Sequence, residues 1–164
     1  MAELSVETAS VGAGTDADGA EILFAVEPGL SVAEFVDVLA RSGLGERRPV
    51  GDLARIGTML ERADLIVTAR AGGVLVGVAR SVTDFSFCCY LSDLAVDRQW
   101  QGRGIGTVLM ARTKTAATSE GFGDGVRCIL LSAPAAIGFY EKVGLERHPN
   151  CFDFTNLDFN DLGG

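Results

Sequence analysis

The chain predicts an α/β fold of the α+β kind, one mixed sheet with helices packed on it. Three observations carry this. Strand-like and helix-like segments alternate in the order β-α-α-β-β-β-α-β-α-β, with no internal repeat. Two central strand segments meet at Ala71-Gly72-Gly73, a hairpin signal that makes part of the sheet antiparallel. Further on, a strand runs into a glycine-rich turn and then an amphipathic helix.

Residues 1–20 are rich in Gly, Ala, Ser, Thr and Asp and offer little to bury, which predicts a flexible lead. Residues 21–164 read as one domain, a length that can bury a core without staples. Glu21–Val26 (EILFAV) is a strand closed by Pro28-Gly29. Ser31 with Glu34 three residues on forms a capping box, and Val32, Phe35, Val36 and Leu39 follow at helical spacing. Gly43 and Gly45 end that helix, and Glu46-Arg47-Arg48-Pro49 is a charged loop. Asp52 caps a second helix carrying Leu53, Ile56, Met59 and Leu60.

Asp64–Arg70 and Val74–Thr83 are the hairpin strands, and Phe85–Val96 is a long apolar strand. Gly102–Ser119 is a helix with Ile105, Val108, Leu109 and Ala116 on one face. Val126–Ser132 is a strand, and Pro134–Val143 is a helix opened by its proline and closed at Gly144. From Leu145 on, with Phe152 and Phe154, one or two final strands are expected.

The formal net charge of −8 repels phosphate backbones, so nucleic acid is not an expected partner. Four cysteines without CxxC spacing and a single histidine point to no metal, and suggest buried, reduced thiols. The N-terminus has neither the basic nor the apolar region of a signal peptide, and no apolar run reaches membrane-spanning length. A cytoplasmic, membrane-free protein is the default expectation.

The most informative stretch is Leu91-Ser92-Asp93-Leu94-Ala95-Val96-Asp97-Arg98-Gln99-Trp100-Gln101-Gly102-Arg103-Gly104-Ile105-Gly106. The first N–H groups of a helix lack intrahelical partners and carry partial positive charge, so a pyrophosphate can sit there. Gly102, Gly104 and Gly106 remove side chains that would hold it off, and Arg98 and Arg103 stand at the mouth. The turn lacks the Gly-Lys-Ser/Thr of a P-loop, and it is mid-chain where a dinucleotide fold would want it after the first strand. The competing reading is a tight turn whose glycines serve packing alone.

Gln101-Gly102-Arg103-Gly104-Ile105-Gly106 resembles the Gln/Arg-x-x-Gly-x-Gly/Ala signature of the GNAT acetyltransferases. Ala136-Ile137-Gly138-Phe139-Tyr140-Glu141-Lys142-Val143-Gly144-Leu145 is similar to that family's second motif, A-x-x-F-Y-x-x-x-G-F/L. The resemblance covers residues 64–147 well, and 21–63 in element order only. It implies the GNAT fold: six or seven strands, mostly antiparallel, with flanking helices and a sheet splayed after the family's fourth strand, here Tyr90–Val96. It further implies acetyl-CoA as co-substrate and direct transfer of the acetyl group to a primary amine in a ternary complex. Dimers are common among such relatives, so a homodimer is an expectation too.

Residue by residue, the resemblance puts the coenzyme on Leu94, Ala95, Val96, Gln101, Gly102, Arg103, Gly104, Ile105, Gly106 and Thr107. Backbone N–H groups near Leu94 would polarise the thioester carbonyl. Tyr140 matches the tyrosine whose hydroxyl protonates or hydrogen-bonds the leaving sulfur; its alternative is a core aromatic beside Phe139. Several relatives carry Glu-Asp where this chain has Ser92-Asp93. Asp93 therefore either binds the amine's charge or bonds only to backbone, and a water relay can replace a dedicated base. Arg47 or Arg48 could hold an acceptor carboxylate, although a solvated turn is the favoured reading. His148 and the pair Cys88-Cys89 are read as structural. The alternative function is a non-catalytic acyl-CoA-binding sensor; a tRNA-directed acetyltransferase is disfavoured by the acidic charge.

Overall fold

The computed structural model describes residues 12–15, 19, 21–153 and 155. Its contacts divide the chain into two compact units, residues 1–131 and 132–164. The first holds a six-stranded sheet in the order β1-β2-β3-β4-β5-β6: Gly12–Thr15, Glu21–Val26, Leu65–Ala71, Val74–Thr83, Cys88–Val96 and Arg127–Leu130. Pairs β1–β5 are antiparallel, and β5–β6 is parallel.

Two helices cover one face. In α1 (Val32–Ser42), Ser31 accepts from Glu34 N–H, and Gly43 ends the helix at φ 87°. In α2 (Leu53–Glu61), Asp52 accepts from Arg55 N–H at 3.0 Å. Phe35, Val38, Leu39, Ile56 and Leu60 pack there on Ile66, Leu75, Val78 and Ala95. The other face carries α3 (Ile105–Ala117), whose Ile105, Leu109 and Ala117 meet Val67, Ala69, Val76, Ala79 and Leu91. Glycine is required beneath this helix. A Cβ on Gly77 would stand 3.0 Å from Leu109 Cδ1 and 3.2 Å from Ile105 Cγ2, so β4 lets α3 sit close.

Several expectations shift. Gly12–Thr15 pairs with β2 inside what composition marks as a flexible lead; a strand this short adds backbone hydrogen bonds without needing apolar residues. The long strand begins at Cys88, three residues later than Phe85, because the Asp84 carboxylate takes the N–H groups of Ser86, Phe87 and Cys88. Phe85 turns there at φ 55°. On α3 the buried series is Ile105, Leu109, Thr113 and Ala117, while Val108 is exposed. Of the cysteines only Cys89 is buried, and Cys88, Cys128 and Cys151 are exposed, against the expectation of buried thiols.

The second unit holds a single turn at Pro134–Ala136 leading into α4 (Ile137–Lys142), which ends before Gly144 at φ 86°. Residues 145–153 form no strand, contrary to expectation, and Phe154 lies outside the described residues. Pro149 offers no N–H to a ladder, and the Asn150 N–H turns back to His148 Nδ1 at 3.1 Å.

Candidate active site

The site begins with where β5 stops being shared. Strand β6 pairs with it only from Cys88↔Arg127 to Leu91↔Leu130. Beyond Leu91 the β6-side edge of β5 has no strand beside it among the described residues, so the sheet opens there. Asp97 N–H bonds Val76 O at 2.9 Å on β4. Antiparallel partners alternate, so Ala95 and Asp93 spend their backbone groups on β4. Those of Leu94 and Val96 face the open edge. The Gln101 side chain reaches Val96 O at 2.9 Å from that side, as the alternation requires.

Residues 97–104 connect this edge to α3. Asp97 caps the turn Arg98–Trp100 by accepting from Gln99 N–H, and the Arg41 guanidinium of α1 pairs with the same carboxylate. Gly102 and Gly104 take φ 78° and 84°, a region open to glycine at little cost, with no atom within 4 Å of where a Cβ would stand. Gly104 opens α3 without a side-chain cap. The first hydrogen bond back to it comes from Val108 N–H at 3.1 Å, so the N–H groups of Ile105, Gly106 and Thr107 precede the helical ladder. Arg103 stacks over Trp100 at 4.8 Å, while Arg98 is exposed. An open glycine turn, an uncapped helix start and arginines together suit a pyrophosphate. Ile105 offers only its backbone N–H, its side chain being buried under α3, and Ala95 offers neither group, its backbone being spent on β4 and its side chain buried against α1 and α2.

Asp93 lies elsewhere than on that open edge. A register shift between Arg80 and Ser81 pairs Arg80 with Asp93 and Ser81 with Leu91, leaving Ser92 as the extra residue of a bulge. The bulge rephases the strand. Cys89 and Leu91 face α3, whereas Asp93 and Ala95 face α1 and α2. The Asp93 side chain is fully buried between two guanidinium groups, Arg48 on one carboxylate oxygen and Arg80 at 2.5 Å on the other. Arg48 also donates to Ser92 O at 2.8 Å, and Arg80 to Ser92 Oγ at 2.9 Å. Its partners in the structure are thus arginine side chains, where the alternative weighed to amine binding was bonding to backbone alone. Arg48 is neither a solvated turn residue nor free for an acceptor carboxylate; Arg47 is exposed beside it. Sequence reading missed Arg80. The signal was an arginine inside the apolar run Val74–Thr83, since a buried cation needs a carboxylate partner.

Tyr140 lies on α4 in the second unit, edge-on to Phe139 with ring centroids 5.1 Å apart. Burial pushes its phenol above the ordinary value. His148 is exposed. Among the described residues, no group of three His, Cys, Asp or Glu side chains could hold a metal. No described helix is long and apolar enough to cross a membrane.

The model of the acetyltransferase (GNAT) family matches residues 34–145. The chain belongs to this family. It is 29% identical over 127 residues to serotonin N-acetyltransferase 2, chloroplastic, of Oryza sativa subsp. japonica, covering 74% of this chain and 60% of that protein. It is 29% identical over 75 residues to GCN5-related N-acetyltransferase 2, chloroplastic, of Arabidopsis thaliana, covering 46% of this chain and 28% of that one. It therefore spans less than two thirds of either relative. A Deinococcus radiodurans R1 structure described as an acetyltransferase superposes with a TM-score of 0.61 at 26% identity, covering 80% and 86% of the two chains. An aminoglycoside acetyltransferase from an uncultured soil metagenomic sample, in complex with sisomicin, gives 0.62 at 19% identity, covering 82% and 95%, a likeness of fold alone.

Proposed function

We propose that this chain is an acetyl-CoA-dependent N-acetyltransferase acting on a primary amine by direct attack in a ternary complex. The observation that supports it best is the opened edge at Leu94 and Val96, continuous with the Gln101–Thr107 turn and helix start. Acetyl-CoA supplies the activated thioester. The α3 N–H groups and Arg103 would bind its pyrophosphate, and the strand edge would pair with its amide-containing arm as an added strand does. The Leu94 N–H would then donate to the carbonyl oxygen as charge develops on it. Tyr140 would supply the proton to the departing sulfur, a role for which its raised phenol stays protonated at neutral pH. With Asp93 engaged by arginines, deprotonation of the ammonium falls to water. The N-acetyltransferase relatives make an amine the favoured acceptor, and serotonin belongs in the first panel alongside polyamines and peptide N-termini.

Isothermal titration with acetyl-CoA tests the reading, with Gly104→Glu as control. That substitution puts a carboxylate at a positive-φ position above the helix start. Saturable binding by the folded wild type, abolished in the variant, is the expected result. A folded wild type that binds no acetyl-CoA overturns it.

A further inference from the structure

We propose that Arg48 and Arg80, bridged by Asp93, are positioning residues that set the peptide plane donating at Leu94; this rests on the acetyl-transfer reading above. The bulge at Ser92 is where β5 leaves β6 and changes phase. A bulge leaves an unpaired residue and is free to adopt several twists unless something holds it. Here two guanidinium groups hold it by four contacts. Arg48 takes Asp93 Oδ1 and Ser92 O, and Arg80 takes Asp93 Oδ2 and Ser92 Oγ.

Both arginines are themselves anchored. Arg48 donates to Arg47 O at 2.9 Å, and Arg80 to Met59 O of α2 at 3.2 Å. The clamp therefore ties the loop between α1 and α2 to the one stretch of β5 whose N–H groups turn toward the open edge. Leu94 is the next residue after Asp93, so any rotation of the bulge tilts its N–H. The cluster is costly to bury, because two cations and one anion leave a net positive charge away from water. A sheet needing only stability would be served by apolar residues at Arg80 and Asp93. A fixed donor angle is what the fork geometry adds, because a guanidinium bonds a carboxylate and a carbonyl at once in one plane.

Arg48→Lys is the discriminating variant. A lysine keeps the charge beside Asp93, and so the fold, but lacks the planar fork that reaches Ser92 O. The measurements are the acetyl-CoA dissociation constant, the steady-state kinetics with the fastest-reacting amine of the panel, and the ¹⁵N–¹H shift of Leu94 with acetyl-CoA bound. The expected result is a dissociation constant within about twofold of wild type, kcat lowered roughly 10- to 100-fold with little change in KM, and a displaced Leu94 amide. Wild-type kcat with an unmoved Leu94 amide in the folded variant overturns the proposal while leaving acetyl transfer intact. A loss confined to acetyl-CoA affinity overturns it as well. If the wild type itself binds no acetyl-CoA, the parent reading fails, and the two failures are told apart in the first titration.

Discussion

Two residues show how far chemistry can be read from type alone. Asp93 is an acid in the strand where an acceptor-binding group is expected, yet both its oxygens face arginines and its side chain is fully buried. A carboxylate so engaged holds both arginines in place, which is a structural use of an acid in this strand. Tyr140 has the opposite character. Burial raises its phenol above the usual value of about 10, so it remains a proton donor over the whole neutral and mildly alkaline range. For a group that works protonated, the sign is plain: activity is retained below the raised pKa and lost only as pH climbs through it. Tyr140→Phe should lower kcat by roughly 100-fold or more while acetyl-CoA affinity holds, and the wild-type rate should show no Tyr140 limb between pH 7 and 9.5. Stopped-time release of free CoA measures both. A folded Tyr140→Phe enzyme with full turnover would return the residue to packing beside Phe139.

At the scale of elements, the loop between β4 and β5 makes a separable prediction. Three N–H groups, those of Phe87, Cys88 and Ser86, hold the Asp84 carboxyl down to about 2 from an ordinary 3.8. A depressed carboxylate stabilises the fold fully above its unfolded pKa, and that contribution fades as pH falls from about 4 toward 2. Asp84→Asn should therefore melt below wild type above pH 5, with the gap closing as pH approaches 2; a gap independent of pH would mean the carboxylate is not the cap. This same carboxylate explains why the strand starts at Cys88, where an apolar run beginning at Phe85 suggests an earlier start. Elements with their own punctuation were legible: the Ser31 and Asp52 caps, the Gly43 stop and the Gly72-Gly73 turn all stand where their residue types demand. Gly12–Thr15 was not, because a four-residue strand of Gly, Ala and Thr has no apolar alternation to announce it. The bulge at Ser92 was equally silent. Strand alternation alone predicts that Ser92 and Asp93 point to opposite faces, and says nothing about where an extra residue resets the phase. The turn at Gln101–Gly106 was legible because Gly102 and Gly104 are needed for positive φ, whereas Arg48, weighed in the sequence only for an acceptor carboxylate, was joined to Asp93 through the fold.

At the scale of the whole chain the formal charge is −8, and on the proposed reaction this field would act on the two substrates with opposite sign. A cationic amine would be drawn toward the protein, while anionic acetyl-CoA would approach against the field and would rely on short-range donors at the α3 start. Salt separates the two effects, because the screening length shrinks from about 30 Å at 0.01 M to about 3 Å at 1 M. At saturating acetyl-CoA, kcat/KM for a monocationic amine should fall as salt rises, and the fall should be steeper for a dicationic polyamine. The rate with an amine whose second group is a carboxylate should fall less or rise. Initial rates for three acceptors matched in size across that salt range give the slopes. Equal slopes for all three would mean the acceptor meets only local groups, and the acidic composition would then bear on solubility alone. A slope ordered by acceptor charge would tie the amine preference to the surface as a whole. Acceptor choice would then be shared between the long-range field and the groups that touch the amine.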